Sequence, residues 1–276
     1  MKIDALHHFW KYNAREYGWI DDSLAALQRD FLPTHLELET RAVGIDGVVS
    51  VQARQCLEET EWLLELAGRH EFIMGVIGWV PLINPGVKGV LERLAVNIKL
   101  RGVRHVLQNE SDTLYMLRPD FNGGIQVLKT LGLAYDILIY ECHLPQTVTF
   151  VDRHPEQHFV LNHIAKPRIK ERIMSPWREN LKELARRPNV WCKLSGVVTE
   201  ADFHHWTEAG IRPYLEAALE AFGPHRLIFG SDWPVCQVAC SYRQWHETVC
   251  QFIGSLSIDE QSGILGINTM EAYGLK

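Results

Sequence analysis

Residues 226–234 read Arg-Leu-Ile-Phe-Gly-Ser-Asp-Trp-Pro. The run from Arg226 to Asp232 has strand length, is apolar without alternation, and stops on a carboxylate. Runs of the same kind recur upstream, at Lys2 to His8, Gly47 to Ala53, Phe72 to Val80, Leu100 to Leu107, Ala134 to His143, Phe159 to His163 and Val190 to Leu194. Segments with helical periodicity separate most of them. Leu57, Trp62, Leu63, Leu64 and Leu66 sit among Glu58, Glu59, Glu61 and Glu65; Leu181, Leu184 and Ala185 follow a helix-opening Pro176-Trp177; Leu215, Ala218, Leu219 and Phe222 form a stripe stopped by Gly223-Pro224. Strands that are apolar throughout, with helices between, indicate a parallel sheet covered on both faces. Eight such units predict closure into a single (β/α)8 TIM barrel, an α/β fold, spanning residues 1–276 as one domain. The rival, an open doubly wound sheet, lacks a GxGxxG or P-loop after its first strand.

The composition agrees with such a barrel and narrows the function. The 276 residues are 46% hydrophobic, enough for a large core, and the formal charge is -6. Lys and Arg are scattered, so neither nucleic acid nor a membrane surface is an expected partner. No apolar stretch has the length of a membrane span, and the N-terminal MKIDALHHFW reads as a strand rather than a signal peptide. Six cysteines without CxxC spacing do not make a disulfide framework; Cys142 and Cys192 fall within apolar runs, as small hydrophobes would. A reduced, cytoplasmic protein is the expectation.

In such barrels chemistry gathers at the C-terminal strand ends. Here those ends carry His7-His8, then Gln52 and Arg54, Trp79, Arg104 with His105 and Gln108, Glu141 with His143, His163, Lys193, and Asp232-Trp233. Singly each has a plain explanation: a hydrogen-bonded structural histidine, an arginine neutralising a carboxylate, a lysine reaching solvent, a tryptophan packed beneath a loop. Together they converge on one mouth about 15 Å across. So many ionisable groups are costly to bury unless they pair or bind an ion or substrate.

The stretches IDALHHFW (3–10), VLNHIAKP (160–167) and FGSDWP (229–234) resemble the amidohydrolase-related family of lactonases and decarboxylases. YGWIDDSLAALQRDFLP, VQARQ, GVRHVLQ, CKLSG and INTMEAYGL are similar to its sugar-lactonase branch, which includes enzymes for L-fuconolactone and L-rhamnonolactone. The resemblance runs nearly from Met1 to Lys276. It implies a hydrolase of carbohydrate catabolism that opens the cyclic ester of a sugar acid. Asp232, His163 and His8 would be catalytic, and Gln52, Arg104, His105, His143, Lys193 and Trp233 would bind the lactone. The superfamily's HxH on the first strand, with His on the fifth and sixth and Asp on the eighth, implies one divalent metal, with zinc the leading candidate, on His8, His163 and Asp232.

The chain departs from that pattern at position 6, where Leu6 stands in place of the first histidine. Alternation puts Leu6 and His8 on one face and His7 on the other, so His7 does not substitute. Metal-free catalysis therefore stays open beside the metal-bound reading. A decarboxylase or pyrone-dicarboxylate-type lactonase is the alternative within the family, with Arg54, Arg104 and Lys193 as anion clamps. A barrel that only binds its ligand is the alternative outside catalysis. The early loop Tyr17 to Asp22 offers aromatic rings suited to a sugar face, and the apolar helix faces are compatible with a homodimer.

Overall fold

The computed structural model describes residues 1–276. Eight strands follow one another round a single sheet in chain order: β1 (Ile3–His7), β2 (Gly47–Val51), β3 (Ile73–Gly78), β4 (Leu100–Val106), β5 (Ala134–Leu138), β6 (Phe159–Leu161), β7 (Val190–Leu194) and β8 (Leu227–Phe229). All neighbouring pairs are parallel. The ring closes through the residues after β8: the Asp232 amide donates to the Leu6 carbonyl at 2.8 Å, and the His8 amide to the Trp233 carbonyl at 2.7 Å. The architecture is the expected (β/α)8 TIM barrel.

Helices α1 (Pro33–Val43), α2 (Leu57–Arg69), α3 (Val87–Ala95), α4 (Pro119–Thr130), α5 (Leu144–Asp152), α6 (Trp177–Ala185), α7 (Glu208–Phe222) and α8 (Tyr242–Ile253) form the outer layer, followed by α9 (Ile258–Ser262) and α10 (Asn268–Tyr273). The periodic stripes behave as read: Leu63, Leu64 and Leu66 of α2 and Leu215, Ala218 and Phe222 of α7 are buried, and α7 stops at Gly223 with φ +66°. The main core lies between strands and helices; a smaller one fills the barrel with Ile3, Ala5, Leu6, Val49, Val51, Ile77, Val160 and Ile228. Ala272, Tyr273 and Leu275 belong to that inner core, so the C-terminal segment plugs the barrel floor.

Several strand ends differ from expectation. β5 stops at Leu138 although the apolar run continues to Tyr140, and Glu141–His143 form a short 3-10 turn. Cys142 consequently sits exposed in that turn rather than within a strand, whereas Cys192 is buried in β7. β8 ends at Phe229, three residues before Asp232, which takes a left-handed backbone with φ +57°. β1 carries a bulge: Asp4 is opposite Val48 but His7 is opposite Ser50, leaving one extra residue on β1. The bulge sends both Ala5 and Leu6 into the inner core. It does not bring His7 inward, since the His7 Nε2 is held 3.0 Å from the Ser50 hydroxyl and its ring lies edge-on to Phe9.

Candidate active site

His8 follows β1, His163 follows β6 and Asp232 follows β8, and the closed ring brings them to one point. The His8 Nε2 lies 3.5 Å and the His163 Nε2 4.0 Å from the Asp232 Oδ1. Each imidazole is fixed from behind. The His8 Nδ1 is 2.8 Å from the Val51 carbonyl, which only accepts, so Nδ1 carries the proton and Nε2 presents a lone pair. The His163 Nδ1 is 3.0 Å from the Ser195 hydroxyl, which can donate or accept. Gly196, with φ +60°, leaves the room this ring needs: a Cβ there would stand 2.2 Å from the His163 Nδ1.

Burial sets the charges. It lowers the pKa of His8, with Asp232 opposing, and drives that of His163 down to about 3. Burial pushes the Asp232 carboxyl up, but His163, His8 and the Lys166 ammonium outweigh it, and the group lies below its ordinary value. At neutral pH two neutral imidazoles therefore face an ionised carboxylate.

These three and Arg104 line a cavity of about 380 Å³ with Glu16, Trp19, Arg54, Gln108 and Lys166 among its other walls. Arg104 is only 3% exposed, and its guanidinium is largely committed: NH1 donates to the Asn162 side chain at 3.0 Å, and NH2 to the Gln52 carbonyl and Oε1 at 2.5 and 2.9 Å. Its Nε is buried without a partner. Arg54 is likewise engaged, by Glu16 at 2.5 Å and Glu59 at 3.6 Å.

The other expected substrate binders do not line this cavity. Gln52 lies behind Arg104, which it holds. His105 accepts from the Trp79 indole at 3.2 Å, sits 2.6 Å from Glu110 and stacks on Tyr115. His143 accepts from the Tyr140 amide at 3.3 Å within its turn. Lys193 points into the barrel and pairs with Asp136 at 2.5 Å, both side chains being fully buried. Trp233 is 1% exposed and packs edge-on to Phe31 and Phe9. Glu141 reaches neither Arg104 nor Lys193; it lines a neighbouring cavity of about 600 Å³.

Sequence reasoning passed over Asp136 and Lys166. Asp136 receives Lys193, the Asn162 amide at 3.0 Å and the Tyr273 hydroxyl at 2.8 Å; a lone aspartate inside an apolar strand was its signal. Lys166 lines both cavities and stands three residues after His163 in HIAKP, a motif read for its histidine alone.

Three donors fit a metal by their chemistry: two imidazole Nε2 atoms and one carboxylate oxygen converge, with the proton of His8 facing away. Ligands at ~2.1 Å round a tetrahedral ion stand about 3.4 Å apart. The 3.5 and 4.0 Å spacings match and slightly exceed that figure, and as they are placed no group of three or more His, Cys, Asp or Glu side chains meets the spacing of a metal site. A hydrogen bond at the far nitrogen of each ring, with the Val51 carbonyl for His8 and the Ser195 hydroxyl for His163, is the arrangement metal-ligating histidines use.

The chain is similar to proteins of known activity and structure. An L-fucono-1,5-lactonase of Burkholderia multivorans (strain ATCC 17616 / 249) is 40% identical over 288 residues, covering 100% of this chain and 96% of that protein. An L-fucono-1,5-lactonase of Burkholderia ambifaria is 35% identical, covering 99% and 95%. A crystal structure of an amidohydrolase from Burkholderia multivorans with bound zinc superposes with a TM-score of 0.96 at 40% identity, covering 100% of both chains. The family model described as amidohydrolase matches residues 3–275, and the chain belongs to the amidohydrolase family.

Proposed function

We propose that this protein hydrolyses the cyclic ester of a sugar acid, L-fucono-1,5-lactone or a close relative, with Asp232 as the base. The observation that carries the reading is the ionised, 4%-exposed Asp232 facing two neutral imidazoles on a sugar-sized polar cavity. Full-length likeness to two L-fucono-1,5-lactonases supports the substrate class. Asp232 takes a proton from water as the water oxygen attacks the lactone carbonyl carbon. The carbonyl–ring oxygen bond then breaks, and Asp232 returns the proton to the ring oxygen. The new carboxylic acid loses its own proton to solvent.

The chain's own donor for the developing oxyanion is the Nε2 of His163, when Ser195 donates to Nδ1. His8, His163 and Asp232 would hold a divalent metal, and zinc there would polarise the carbonyl and acidify water. Trp19, 40% exposed at the rim and edge-on to Trp10, offers an aromatic face to the C–H surface of a sugar. The commitment of Arg54 and Arg104 to protein partners disfavours a dicarboxylate substrate. No helix is long and apolar enough to cross a membrane, and all six cysteines are unpaired; our reading includes a reducing cytoplasmic setting.

The test is turnover of L-fucono-1,5-lactone, related sugar lactones and pyrone dicarboxylate by the parent and Asp232→Asn, with metal analysis before and after a chelator. The parent should prefer the sugar lactones, and the variant should lose ~10²–10⁴ in kcat. A variant within about tenfold of the parent removes Asp232 from the role of base.

A further inference from the structure

His163, Ile164, Ala165 and Lys166 all have positive φ, at 54, 46, 62 and 47°. This is a complete left-handed turn without glycine, and it carries a steric cost at each residue, most of all at β-branched Ile164. The turn is pinned by the Trp177 indole, which donates to the Ile164 carbonyl at 2.8 Å, and by Ser195 on His163. Its consequence is that His163 and Lys166, three residues apart, both reach the catalytic cavity.

The Lys166 ammonium there is lightly held. Its one carboxylate neighbour, Glu200, is 3.6 Å away, and its other contact is the Tyr140 ring at 5.5 Å. Arg104 and Arg54, the other cations on the cavity, are bound to protein acceptors. One cation without a close acceptor is thus left at the mouth, at the border with the second cavity.

A lactone is neutral, whereas its hydrolysis product is an anion: lactone and water give a hydroxy-carboxylate and one proton, released to solvent. A lightly held ammonium discriminates between the two. We infer that Lys166 is the site that captures the product carboxylate, exchanging Glu200 for it and drawing the opened chain toward the second cavity. The inference rests on the lactonase reading and adds to it a residue that reads product rather than substrate.

The experiment measures inhibition of lactone turnover by L-fuconate and by the neutral polyol L-fucitol, in the parent and in Lys166→Met, Lys166→Arg and Glu200→Gln. In Lys166→Met the fuconate Ki should rise by about tenfold or more, well beyond any change in lactone KM, and the fucitol Ki should not follow. Lys166→Arg should recover most of the loss, and Glu200→Gln should tighten fuconate by about threefold. An unchanged fuconate Ki in Lys166→Met, or equal losses for fuconate and fucitol, overturns the inference. Should the parent fail to turn over any sugar lactone, the lactonase reading falls. Calorimetric titration of L-fuconate into parent and Lys166→Met then decides separately: binding lost only in the variant upholds the lysine's role. Equal binding, or none to the parent, ends it.

Discussion

At Asp232 and its two histidines, position is bought with strained backbone and missing side chains. Asp232 and His163 both occupy the left-handed region, which a rigid surrounding must enforce. Gly196 shows how tightly the surroundings fit, because its hydrogen is replaced by nothing larger without striking the His163 ring. Gly196→Ala combines that clash with the cost of a positive φ, whereas Gly132→Ala, at φ +65° with no atom near its would-be Cβ, carries the backbone cost alone. Both variants should lose about 1 kcal/mol or more of stability. Only Gly196→Ala should also lose activity, by about tenfold or more in kcat/KM, since a 1 Å misplacement of a positioned group can cost 10²-fold. Lactone kinetics beside thermal melts check this; equal kcat/KM in the two variants would show that His163 tolerates displacement.

At the level of strands, helices and turns, the sequence was informative about what repeats and silent about what happens once. The eight apolar runs and the stripes of α2 and α7 report burial, which periodicity encodes directly. Strand ends were less legible: Ile139 and Tyr140 continue the β5 pattern, yet the chain has already turned. The bulge in β1 and the left-handed turn at His163–Lys166 leave no local mark, because tertiary contacts impose them on residues without turn propensity. His8, Arg104, His163 and Asp232 meet as expected from strand order. Lys193 and His105 do not join them, since a charge in a strand looks the same whether it serves a ligand or a buried partner such as Asp136 or Glu110. The C-terminal plug was invisible for the same reason. Its hydrogen bond from Tyr273 to Asp136 supports the carboxylate that also holds Lys193 and Asn162, and Asn162 in turn holds Arg104. Tyr273→Phe removes one buried hydrogen bond to a charged group, worth about 2 kcal/mol. The melting temperature should fall by about 4–8 °C in a chain of this size. An unaltered Tm would mean that the plug is held by its apolar contacts alone.

The barrel buries several histidines and carboxylates, and the balance among them fixes how it answers acid. Burial holds the pKa of His7, His8, His154, His163 and His246 below the ordinary value, so the folded protein keeps these rings neutral. An unfolded chain takes up those protons near pH 6.5, so below that pH the unfolded state binds more protons and stability falls as pH falls. For His163, whose folded pKa is about 3, the contribution is complete above 6.5 and is lost progressively down to 3. At pH 5 the loss is 1.5 pH units, or about 2 kcal/mol. Asp4 acts in the opposite sense. Burial raises it to about 6 despite donors from Ser231, Leu6 and Tyr242, so acidification from 6 toward 3.8 relieves a penalty. Buried histidines outnumber such carboxylates, and the melting temperature should drop between pH 7 and pH 5. Measured after dialysis against a chelator, which removes the separate pH dependence of metal binding, His163→Gln should make that drop shallower by about 4–8 °C relative to the parent. Parallel curves for parent and variant would mean that His163 accepts its proton in the folded barrel as readily as in the open chain, and that the neutral ring at the catalytic centre is not set by burial.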